Sequence, residues 1–108
     1  MRDFMLRTGR TRGWLALLPA LSVAALGCGP VLYTTSIRSA EEKLEQARDE
    51  NARWYAPYEY YYAEAHLKQA QFEAAEASFE DAVRYARTAR DFSERALDIA
   101  QRRRRAER

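Results

Sequence analysis

From Ser39 onward, apolar and small side chains recur three and four residues apart with charged residues between them. The first stripe is Ala40, Leu44, Ala47, Asn51 and Trp54, and the second is Tyr60, Ala63, Leu67, Ala70, Ala74 and Ala77. The third is Phe79, Ala82, Ala86, Ala89, Ser93, Ala96 and Ala100. This spacing paints one face of an α-helix, whereas a half-buried strand would alternate at every second residue. The pattern predicts an all-α protein of three helices, the last two forming a long antiparallel alanine-rich hairpin. Ser39 and Glu42 are spaced as a capping box that opens the first helix. Ala56-Pro57 closes it and opens the second, because proline disfavours α geometry in the residue before it yet suits the first helical position. Ser78, with Asp81 nearby, is placed to cap the third. No glycine follows Gly29, so the turn near Ala77 and Ser78 lacks the residue that most often ends a helix in left-handed geometry.

So much alanine has two opposed effects. A methyl group lets helix axes approach closely, but it buries little area, so the core is thin and self-association or a partner would help to stabilise it. Opposite charges four apart line the outer faces: Asp49 with Arg53, Glu64 with Lys68, Glu80 with Arg84, Asp91 with Arg95, and Asp98 with Arg102. Such pairs contribute about 0.2–0.5 kcal/mol each and read as solvated helix surface.

Ahead of this periodic region the pattern changes. Arg2, Arg7, Arg10 and Arg12 precede an apolar run from Trp14 to Leu26, followed by Gly27 and Cys28. The run falls short of the roughly 20 apolar residues that span a bilayer, is interrupted by Pro19, and ends in small residues. It reads as a lipoprotein signal peptide over residues 1–27, with lipidation of Cys28 after cleavage. Cys28 is the single cysteine, so it has no partner for an intramolecular disulfide. Residues 28–38 are then an acylated N-terminus and tether, with Gly29 to Thr35 reaching at most about 25 Å, and residues 39–108 are a helical domain with a basic C-terminal tail. An envelope location follows, and the resemblance to bacterial lipoproteins, many of which carry an inner-membrane-retaining aspartate where this chain has Gly29, implies the periplasmic face of the outer membrane.

Removing the leader alters the charge. The whole chain carries +2, but Cys28 to Ala100 has nine bases against fourteen acids, a net of −5. Gln101 to Arg108 reverses this locally with five arginines and one glutamate. An acidic body argues against general nucleic-acid binding. The inventory also lacks the parts of common catalytic sites: His66 is the sole histidine, no Gly-rich phosphate loop is present, and Glu41, Glu42, Glu45, Asp49 and Glu50 scatter around a helix. No enzyme, metal or cofactor is expected.

Arg53-Trp54-Tyr55-Ala56-Pro57-Tyr58-Glu59, then Ala63, Leu67 and Ala70, then Phe79-Glu80-Asp81-Ala82 with Ala86, Ala89 and Ala96, resemble the small alanine-rich envelope lipoproteins grouped as domain of unknown function 4398. Ala56, Pro57 and Glu59 match that family's Ala-Pro-x-Glu start, and Phe79 with Ala82 matches its aromatic-x-x-Ala start to the last helix. The chain has Ala77-Ser78 where the family usually has a Gly-Asp-like turn. The resemblance implies a tetratricopeptide-like hairpin at the cell envelope and no reaction.

Two features stand out as candidate contacts. Trp54, Tyr55, Tyr58, Tyr61 and Tyr62 cluster around the Pro57 corner, with Tyr60 on the seam. Tyr58, Tyr61 and Tyr62 share a face away from that seam, so they are covered by the first helix or form a docking patch for a protein or a stacking surface for a glycan. Arg102, Arg103, Arg104 and Arg105 can complement the dipole of the last helix or contact an anionic surface. These features predict a membrane-anchored, non-catalytic scaffold or adaptor for another envelope component, an envelope protein or peptidoglycan. A peptidoglycan-binding module and a self-assembling structural lipoprotein, a homo-oligomer, are the alternatives.

Overall fold

The computed structural model describes residues 28–108. The signal-peptide reading of residues 1–27 lies outside the described residues. Four helices follow in order: α1 Cys28–Asp49, α2 Ala52–Tyr55, α3 Pro57–Ala75 and α4 Phe79–Ala106. The all-α class and the closing hairpin of α3 and α4 are both present. No described helix is long and apolar enough to cross a membrane.

Helix α4 is the spine. Both α1 and α3 pack along it, and they touch each other far less. Gly29 and Tyr33 of α1 meet Phe79 at the start of α4, while Glu50, just past α1, meets Arg104 near its end. Helix α1 therefore runs parallel to α4, and α3 returns antiparallel between the two corners. The stripe on α4 is the most complete: Ala82, Ala86, Ala89, Ser93, Ala96 and Ala100 are buried, together with Val83. Ser93 remains satisfied there because its hydroxyl donates to the Ala89 carbonyl at 2.7 Å. On α1 the seam consists of Ala40, Leu44 and Ala47, and on α3 of Tyr60, Ala63 and Ala70.

Helix α1 differs from expectation at both ends. The 28–38 segment is helical, not an irregular tether, and Ser39 consequently lies in the helix interior, so it opens no capping box with Glu42. Pro30 sits in the first turn, where its missing N–H costs nothing. The Thr34 and Thr35 hydroxyls donate to the carbonyls of Pro30 and Val31, and the Tyr33 ring lies 6.2 Å from that of Phe79. At the other end the helix stops at Asp49, because Asn51 takes the left-handed conformation with φ 61°. Asn51 and Trp54 are therefore not seam residues, and the break separates Asp49 from Arg53.

The second corner resolves the missing glycine. Ala77 itself adopts φ 59°, and the Ser78 and Ala77 amides donate to the carbonyls of Glu73 and Ala74. This is a Schellman turn made with alanine at the left-handed position. The Ser78 side chain forms no cap bond.

The surface pairs are partly redistributed. Glu64–Lys68 and Asp98–Arg102 form at 3.6 and 2.8 Å. Arg84 instead pairs with Asp81, Asp91 pairs with Arg90, and Arg95 lies over the Phe92 ring.

Candidate functional site

The corner between α1 and α3 is organised by Tyr60. Among the described residues it is the largest fully buried side chain, and it shares one cluster with Leu44, Ala47, Ala52, Ala56, Ala63, Ala96 and Ala100. Six alanines leave room that a single ring fills. The Tyr60 hydroxyl accepts from the Nε–H groups of Arg48 and Arg53 at 3.1 and 3.3 Å, and the Arg53 guanidinium lies 5.5 Å from the ring centroid. The hydrogen bond from Arg48 to Tyr60, with the nearby Glu45 charge, holds that guanidinium above its ordinary value.

Around this keystone the other aromatic candidates divide. Tyr55 is half-buried: its hydroxyl donates to Glu107 at 2.6 Å and its backbone carbonyl accepts from Arg103. The bond to Glu107 and partial burial push the Tyr55 phenol above 10.0. Tyr62 is also half-buried, its ring 4.2 Å from those of Phe92 and His66. His66 Nδ1 lies 2.9 Å from the Tyr62 carbonyl, so that nitrogen carries the proton in the neutral ring. Helix α1 does not cover this face. Trp54, Tyr58 and Tyr61 are 75%, 67% and 53% exposed, although Tyr58 lies 5.8 Å from the Tyr62 ring and 6.5 Å from that of Phe92, and Tyr61 stands edge-on to Tyr60 at 5.3 Å.

Cations from the last turns of α4 reach the same end of the molecule. Arg104 pairs with Glu50 at 2.7 Å, Arg103 binds the Tyr55 carbonyl, and Arg102 turns back to Asp98. Arg105 is exposed. Tyr55 and Glu50 of the α1–α3 corner thus meet Arg103, Arg104 and Glu107 at the tip of α4, while Tyr58 and Tyr62 lie further back, against Phe92. The approach of the α3 start to the last turns of α4 follows from the antiparallel hairpin that the sequence predicts; periodicity does not reveal that α1 runs parallel to α4 and so brings Glu50 to Arg104.

Cys28 lies at the opposite end. It is exposed beside a groove lined by Leu32, Phe79 and Val83, with Arg84 and Arg87 at its edge. Among the described residues no group of three or more His, Cys, Asp or Glu side chains converges to hold a metal ion. In comparison with known proteins, no family model, no curated protein and no solved structure matches the chain.

Proposed function

We propose that the protein is a lipid-anchored, non-catalytic adaptor of the cell envelope, with its membrane attachment at Cys28 and its docking surface at the far end. The observation that carries this reading is the exposure of Trp54, Tyr58 and Tyr61 on a chain whose interior is filled mostly by methyl groups. Tyrosine and tryptophan provide large contact area for little lost conformational freedom, which suits them to anchor an interface. Cys28 supports the other half of the reading, being exposed and so accessible to acylation. The likeness to the alanine-rich envelope lipoproteins points to the same compartment, and the periplasmic face of the outer membrane is the location proposed here.

A crosslinking amino acid placed at Tyr61 in living cells tests the adaptor reading, with Cys28→Ala as the mislocalised control. A discrete foreign adduct that disappears in the control is the expected outcome. Self-adducts alone would replace the adaptor by a self-assembling lipoprotein.

A further inference from the structure

We infer that the cleft between the end of α1 and the last turns of α4 binds the carboxylates of a cell-wall glycan of the peptidoglycan class, and that this polymer is what the adaptor engages. The inference rests on the adaptor reading above and specifies its partner. The cleft, about 390 Å³, is lined by Glu50, Gln101, Arg104, Arg105 and Arg108. Glu50 is occupied by Arg104 at 2.7 Å. Among the described residues no carboxylate lies within ion-pair distance of Arg105 or Arg108, and these two residues stand three apart on the chain. The cleft therefore presents two uncommitted guanidinium forks, the group that matches a carboxylate with paired parallel hydrogen bonds. Complementing the dipole of α4 explains a cation or two in its last turn; it does not explain Arg108 beyond the helix, facing the same cleft as Arg105.

Two observations favour a glycan over the headgroups of the anchoring membrane. The cleft and Cys28 lie at opposite ends of α4, whose 28 residues span about 42 Å. That is several times the roughly 8 Å over which charge acts in physiological salt. From the neighbouring α1–α3 corner the exposed rings of Trp54, Tyr58 and Tyr61 extend back along the hairpin, Tyr58 as far as Phe92, flat faces on which an extended sugar chain can stack, and the Gln101 amide in the cleft offers both a donor and an acceptor for hydroxyls.

The test is co-sedimentation of the purified full chain, held in detergent, with isolated peptidoglycan sacculi over a series of salt concentrations, beside flotation with phosphatidylglycerol vesicles. Binding to sacculi that weakens with salt, and falls about tenfold in Arg105→Gln/Arg108→Gln while Arg102→Gln stays near wild type, is expected. If the glutamine pair loses helicity by circular dichroism, Arg105→Lys/Arg108→Lys takes its place, keeping charge without the fork, with a smaller but measurable loss expected. No sacculus binding, binding indifferent to both double variants, or binding to vesicles alone overturns the inference. A protein adduct from Tyr61 together with failed sedimentation would overturn the glycan and leave the adaptor intact.

Discussion

Tyr60 shows how one residue organises a core of methyl groups. Truncating it removes the only large side chain that is wholly buried in the corner cluster, where flanking alanines have no reach to close the gap. Tyr60→Ala should cost about 3–5 kcal/mol in urea denaturation, a large share of the stability of any small domain. Tyr60→Phe should cost far less, because Arg48 and Arg53 can turn to water once their shared acceptor is gone. A second residue couples the corner to pH. The Tyr55 phenol, held protonated by Glu107, titrates above its ordinary value in the folded state. Its stabilising effect is therefore present below about pH 10 and is lost as pH rises through the raised folded value. Thermal midpoints should fall more steeply between pH 9.5 and pH 11, roughly, in the wild type than in Tyr55→Phe, and an equal slope would show that the bond does not form in solution. Tyr60 was legible as a seam position from its spacing to Ala63; its rank as the keystone was not, because periodicity reports which face a residue occupies and says nothing of what surrounds it.

The helices are best understood from their ends. Ala77 bears a Cβ at φ 59°, where an L-residue with a side chain loses roughly 1–2 kcal/mol relative to glycine. Ala77→Gly should stabilise the chain by about 0.5–1 kcal/mol after the greater freedom of glycine in the unfolded state is deducted. Chemical denaturation measures this directly, and a loss of stability would mean that the turn relaxes to another geometry. The α4 stripe could be read almost residue by residue, since a buried helix with small side chains leaves an unbroken three-four pattern. The first turns of α1 could not, because Pro30, Thr34 and Thr35 carry no apolar period and the ring that Tyr33 packs against, Phe79, lies 46 residues further along. Only from Ala40 onward does α1 bury seam residues. Hydrogen exchange should thus be faster over residues 28–38 than over 40–49, with the boundary near Ala40.

At the scale of the molecule, the up-down-up course of α1, α3 and α4 separates Cys28 from the arginine cleft by the length of the spine. Spin labels at Cys28 and at Arg105→Cys should report a narrow distance distribution centred near 40 Å. A broad, short distribution would mean that residues 28–38 behave as the loose tether their composition suggested. If the narrow distance holds, the helical start of α1 has a genetic consequence. A disordered leash can gain or lose one residue at a time and merely change its slack. Here the span is shared by three helices in register, so a single inserted residue would rotate every following seam position by about 100° and lengthen nothing useful. Reach could change only through matched insertions in α1, α3 and α4 together, which makes the height of the far end above its anchor one of the hardest properties of this chain to alter by small steps.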